Sequence, residues 1–158
     1  IVDYYVYRDR KYELPNRIGC DKFMESYANQ ILPENFSCVV LRLTGISGKN
    51  GEFGREATDD MMMKFNGFVK NTYPKNDECF VALNGVGQWI IYARNMSVNH
   101  MEAYASYLQK AVEEYNETAK CKIEYDCGMA ESKASSTYRI KLLLMNALHN
   151  MKPAIRIV

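Results

Sequence analysis

The sequence predicts an α/β sandwich, a mixed central β-sheet with helices on its faces. Apolar runs of strand length alternate with stretches of helical periodicity along all 158 residues, without repeats or low-complexity linkers. Asn84-Gly85-Val86-Gly87 separates two strand-like runs, and Asn-Gly there signals a hairpin because both residues tolerate the positive φ of its turn. No apolar run approaches the roughly 20 residues that a membrane-spanning helix needs. In chain order the elements read αβαββαβα.

Asn16 to Leu32 is the first expected helix, with Phe23, Tyr27 and Ile31 at four-residue spacing. Leu32-Pro33-Glu34-Asn35 ends it. Cys38 to Leu43 is a strand, apolar except for Arg42. A glycine-rich loop, Thr44 to Glu52, leads to a second helix from about Glu56 to Tyr73, which Pro74 and Asn76 stop. Phe80 to Leu83 and Trp89 to Ala93 are the hairpin arms. Both are almost wholly apolar and read as central strands covered on both faces. Val98 to Thr118 is a third helix, with Met101, Leu108, Val112 and Tyr115 on one face. Lys122 to Ala130 alternates charged and apolar residues as a half-buried strand does. Ser135 or Ser136 caps a fourth helix to about Met151, and Ile155 to Val158 add a short last strand.

The composition is that of a globular domain: 47% hydrophobic, 25% charged, net charge +1. That balance gives no electrostatic reason to expect nucleic acid or a membrane surface as partner. Cys20, Cys38, Cys79, Cys121 and Cys127 are odd in number, form no Cys-x-x-Cys, and mostly sit in or beside apolar runs. Buried free thiols fit a reducing compartment, so the expected location is the cytoplasm. The chain opens on Ile1 without a Met, and the expectation is a piece of a longer protein. Residues 1–8 would be the end of an upstream linker, and residues 9–158 the domain.

Several short motifs, in their order and spacing, make the chain resemble the GGDEF family, the bacterial diguanylate cyclase domain. Asp9-Arg10-Lys11-Tyr12-Glu13-Leu14-Pro15-Asn16-Arg17 keeps the Asp and the Leu-x-Asn-Arg ending of the family's opening motif. The stretch Arg42 to Arg55 keeps the length of the family's first-strand motif, with Asn50 and Gly54 in place. The signature turn, Gly-Gly-Asp/Glu-Glu-Phe, corresponds to Gly85-Val86-Gly87-Gln88-Trp89. The family's closing motif resembles Ala147 to Arg156. The resemblance covers the chain from Asp9 to Arg156 and implies the family's sandwich fold.

In active relatives two domains face each other, each with a GTP, and a 3′-hydroxyl of one attacks the α-phosphate of the other. Such phosphoryl transfer needs Mg²⁺ bridging phosphate oxygens and protein carboxylates. The resemblance places those carboxylates at positions that here hold Arg42 and Gly87, so neither can ligate a cation. Gln88 replaces the turn's fourth-position acid, Val86 its second glycine, and Trp89 its Phe. Asp77, Glu78 and the Asp59-Asp60 pair read as solvated surface acids rather than replacements. His100 and His149 lie too far apart in sequence to suggest a metal cluster. No metal and no cofactor is expected. The family's inhibitory dinucleotide site falls on Asn76-Asp77-Glu78-Cys79, which lacks its arginine.

Some binding positions persist. The resemblance implies that Asn50 and Asp59 meet the guanine edge, and that Lys152 and Arg156 meet the phosphates. Each also has a plain structural reading: a loop turn, a helix-start acid, and two surface cations. The function expected from all this is a catalytically inactive, degenerate GGDEF-like signalling domain. It would serve as a regulatory or protein-interaction module of a larger bacterial sensor, soluble or the cytoplasmic part of a membrane-anchored one. Its partners would be other domains of the same chain or a separate signalling protein. The alternatives are a domain that senses a weakly held guanine nucleotide, or a cyclase-type enzyme with altered chemistry.

Overall fold

In the computed structural model, residues 6–157 are described. Most of the expected upstream connection, residues 1–5, therefore lies outside them, as does Val158. A small ribbon, β1 (Arg8–Asp9) and β2 (Leu14–Pro15), precedes helix α1 (Arg17–Ser26). Strand β3 (Ser37–Leu43) leads into α2 (Ile46–Phe53) and α3 (Arg55–Thr72). The hairpin is β4 (Cys79–Leu83) and β5 (Gln88–Ala93), followed by α4 (Val98–Asn116) and β6 (Tyr125–Glu131). Helix α5 (Ile140–His149) and strand β7 (Lys152–Ile155) close the chain.

The main sheet has five strands in the order β4-β5-β3-β6-β7. Its layers follow from the alternation of side chains along β3. Val39, Leu41 and Leu43 join the core under α3 and α4, with Met61, Phe65, Trp89, Leu108 and Tyr125. Cys38 and Val40 face the other way, into a core under α1 and α5 with Phe36, Ile90, Tyr92, Leu143 and Ala147. Each large apolar side chain so buried contributes roughly 1.5–3 kcal/mol. Gly128 on β6 lets α5 approach, since a Cβ there would strike the Ala147 carbonyl oxygen.

The sandwich with helices on both faces is as the sequence predicts, but the sheet is antiparallel throughout rather than mixed. Two helical crossovers each pass over one strand: β5 sits between β3 and β4, and β3 between β5 and β6, while α5 joins the neighbours β6 and β7. Strands running the same way are therefore never neighbours, the split βαβ arrangement. The same order corrects the hairpin. Trp89–Ala93 is central and buried, whereas Phe80 and Val81 stand on an edge strand and are only half-covered.

Other boundaries move for local reasons. Helix α1 starts on the Asn16 cap, whose Oδ1 accepts from Gly19 N at 2.9 Å, but stops at Ser26. There Tyr27 and Ala28 N–H groups turn back to Met24 and Glu25 carbonyls, and Ile31 ends 73% exposed. The stretch expected as a glycine-rich loop is mostly helix α2. Packing overrides the weak helix propensity of Gly48 and Gly51, because Ile46 and Phe53 reach the core and Lys49 reaches Glu124. Strand β6 starts three residues later than the charge alternation suggests. Ser135 and Ser136 cap no helix: both lie in a turn tied to Glu131, whose carboxylate accepts from the Asn35, Lys133 and Ala134 N–H groups. The last strand is Lys152–Ile155, not Ile155 onward.

Candidate functional site

The candidate site lies where β3 ends, beside the hairpin turn and the start of α2. The turn is closed by Asn84 N donating to Gln88 O at 2.9 Å and Asn84 Nδ2 to Gln88 Oε1 at 3.1 Å. Gly85 and Gly87 take φ of 99° and 73°, the conformation that favours glycine. Val86 stands at the tip, 88% exposed. Gly87 is held under it, its carbonyl accepting from Leu43 N at 2.9 Å. A Cβ on Gly87 would come within 2.8 Å of Ile46 Cδ1. The tip of the Ile46 side chain, which opens α2, would have to shift to admit a side chain at this position.

Trp89 follows, fully buried. Its ring meets Phe65 edge-on at 5.0 Å and Tyr12 at 6.1 Å, and its Nε1 donates to Asn66 Oδ1 at 2.9 Å. Asn66 in turn donates to the Tyr12 carbonyl. The indole is therefore core, as its residue type suggests, but hydrogen-bonded core. It ties the opening ribbon and α3 to the strand that carries the turn.

Arg42 sits one register step inside the end of β3, opposite Gln88 on one side and Asp126 on the other. Its Nη2 lies 3.6 Å from Asp126 Oδ2, and Arg156 forms a second ion pair with Asp126 Oδ1. Arg156 also donates to Thr44 Oγ1 at 3.2 Å. Beside this triad Lys49 Nζ meets Glu124 Oε2 at 2.6 Å, with both side chains largely buried. Glu124 Oε1 accepts from Ile157 N at 2.9 Å. Burial alone would raise the Glu124 pKa, but Lys49, the Ile157 N–H and Arg156 together hold it below its ordinary value.

Asp126 and Glu124 are the acids at this sheet end that sequence reading passed over. The only trace they leave in the sequence is the charged alternation before β6; their pairing to Arg42 needs the β3–β6 register. Both are already answered by cations. A divalent ion would have to displace Arg42, Arg156 or Lys49, so the donor set does not fit Mg²⁺. Among the described residues, no group of three or more His, Cys, Asp or Glu side chains is placed to hold a metal ion.

The other named residues are spread out. Asn50 is exposed on α2, with its carbonyl accepting from Gly54 N. Asp59 lies on α3, 3.9 Å from Lys11 and 45% exposed. Lys152 lines a cavity of about 320 Å³ against α4, with Gln109, Leu41 and Cys127, while Arg156 turns to Asp126. Asp77 and Glu78 lie before β4, at the far end of the five-residue strand from the turn, roughly 16 Å away. Glu78 is engaged there by Asn95 Nδ2 at 2.6 Å. His100 is in the first turn of α4 and His149 in the last turn of α5.

A scan against models of known protein families finds no match, and no curated protein matches the sequence. Solved structures do match. A diguanylate cyclase/phosphodiesterase from Caldicellulosiruptor saccharolyticus superposes with a TM-score of 0.68 at 13% identity, over 96% of this chain and 93% of that one. The S helix-GGDEF-EAL portion of Vibrio cholerae LapD, bound to c-di-GMP, gives 0.70 at 21% identity, over 93% of this chain and 34% of its own. The diguanylate cyclase SiaD of Pseudomonas aeruginosa, in complex with its activator SiaC, gives 0.65 at 12% identity, over 91% and 59%. At these identities the likeness is one of fold. The chain has the fold of GGDEF domains.

Proposed function

We propose that this domain is a catalytically silent member of that fold, working as a regulatory module through contacts with other proteins or domains. One observation carries the reading: Arg42, which the motif resemblance sets at a metal-ligand position, is ion-paired to Asp126. A nucleotidyl transfer between two triphosphates needs a metal to neutralise and align the phosphates. At this sheet end the two acids are neutralised from within, and Gly87, where the second ligand would be, is packed against Ile46. The loss of metal coordination removes several kcal/mol of transition-state stabilisation, about 3 kcal/mol or more by comparison with single lost oxyanion contacts. Partnership with other domains or a signalling protein is in keeping with neighbours of multidomain or complexed architecture. The test is incubation of concentrated domain with GTP and Mg²⁺ or Mn²⁺, with chromatography for cyclic dinucleotide.

A second reading is a guanine-nucleotide sensor without turnover. It is favoured by the solvent-open side chains of Asn50 and Asp59 on the packed helices α2 and α3. Arg156 would have to leave Asp126 to meet phosphate, and Val86 crowds the approach. Binding is accordingly weak, about −5 kcal/mol at best. Calorimetric titration with GTP, GDP and ATP, with and without Mg²⁺, tests it. Equal affinity for ATP, or GTP binding unchanged by Asn50→Ala with Asp59→Ala, contradicts the inherited site. No helix among the described residues is long and apolar enough to cross a membrane.

A further inference from the structure

On the face opposite α3 and α4, helices α1 and α5 leave a cleft of about 490 Å³ between them. Its floor is apolar, with Met24 and Ile140. One wall carries Asp21 and Glu25 of α1; the other carries Arg139 and Lys141 at the start of α5. All four charged residues are exposed, and none is ion-paired among the described residues. Next to the cleft α5 turns Leu142 and Met145 to solvent, 50% and 62% exposed, with Tyr138, 37% exposed, just before the helix. The three-residue spacing of Leu142 and Met145 puts them on one helix face.

The charges also sit where helices disfavour them. Arg139 caps α5 and Lys141 lies in its first turn, the positive end of the helix, which has no acid to offset them. Glu25 lies in the last turn of α1, the negative end, which has no base. Asp21 and Glu25 are one turn apart, so they repel as well. Local energetics oppose this placement on both walls, and no internal pair repays it. Such local conflicts mark surfaces kept for another purpose.

We propose that this face docks a second copy of the same chain. Each copy offers an acidic wall and a basic wall, so the face is self-complementary. A two-fold axis beside the cleft brings Asp21 and Glu25 of one copy to Arg139 and Lys141 of the other, and the same contact is made twice. The Leu142–Met145 stripes meet at the centre, as an apolar interface core inside a charged rim. Every complementary group needed is already on this surface. The apolar area is small, so association is weak and shows only at high protein concentration. The inference stands apart from catalytic silence, since α1 and α5 lie away from the turn and from Arg42.

Sedimentation equilibrium of the 158-residue chain, from low micromolar to millimolar concentration, tests it. A monomer–dimer equilibrium is expected. Asp21→Lys with Glu25→Lys should weaken dimerisation by about tenfold or more, equivalent to 1.4 kcal/mol, and so should Arg139→Glu with Lys141→Glu. All four changes together should restore it. Met145→Asp should abolish it, while Tyr107→Ser, on α4 across the sheet, should leave it unchanged. Circular dichroism on each variant separates lost association from lost folding. A chain monomeric at every concentration overturns the proposal. So does a dimer indifferent to Met145→Asp and to either reversal, or a fourfold variant that stays monomeric while folded.

Discussion

Arg42 on β3 and Asp126 on β6 are register partners across the middle of the sheet, with Nη2 and Oδ2 3.6 Å apart. The pair sets a cation against an acid at the end of the sheet beside the hairpin turn. The Arg42 side chain is 49% exposed, so the pair itself contributes at most about 1 kcal/mol. Its consequence is larger than its energy, because it answers an acid at the sheet end that carries the candidate site. Arg42→Asp would set two carboxylates against each other. We expect a drop of about 1 kcal/mol in urea-unfolding stability, shrinking as salt screens the repulsion. A stable Arg42→Asp variant that binds Mn²⁺ tightly would show that the site still wants metal.

Gly87→Asp tests the second position that the motif resemblance singles out. The substitution forces a side chain into a φ of 73° and against Ile46 Cδ1. A cost of about 1–3 kcal/mol is expected in thermal or urea unfolding. Gly87→Asp combined with Ile46→Ala should recover the steric part but not the backbone part. Equal stability of Gly87→Asp and the parent would mean that α2 is free to move aside.

The fold was largely legible in the sequence because its signals are strong: long periodic helices at Arg55–Thr72 and Val98–Asn116, and an Asn-Gly turn between apolar arms. Strand neighbours were not, because a helical crossover says nothing about which strand it passes over. Helix α2 was hidden by glycines whose cost is offset by Ile46, Lys49 and Phe53 packing. At the site, the departures of Arg42 and Gly87 from the family motif were readable from motif spacing alone. What fills the gap was not: Asp126 and Glu124 stand more than 70 residues from Lys49 and Arg42, joined to them only by register.

Trp89→Phe should be more harmful than a change of ring size suggests. It leaves Asn66 Oδ1, buried, without its donor at 2.9 Å, and opens a gap beside Phe65. A loss of about 2–3 kcal/mol is expected. Trp89→Phe with Asn66→Leu should recover part of it. A loss below about 0.5 kcal/mol for the single change would show that water satisfies Asn66.

Acid should destabilise the domain through Glu124 and Glu131. Burial tends to raise both pKa values, but Lys49 and the N–H of Ile157 for the first, and three backbone N–H groups for the second, hold them below the ordinary 4.5. A carboxyl lowered in the folded state stabilises it above the unfolded pKa, and that share is lost as pH falls through the folded value. Unfolding free energy should therefore decline below about pH 4.5, and Glu124→Gln should flatten the decline. An unchanged slope in that variant would remove Glu124 from the account.

The central claim is chemical silence, and one assay addresses it directly: concentrated domain with GTP and Mg²⁺ or Mn²⁺, followed to long times for cyclic dinucleotide. The expected result is no product above a protein-free control. Product that accumulates with the domain and disappears with Asn50→Ala would contradict the account.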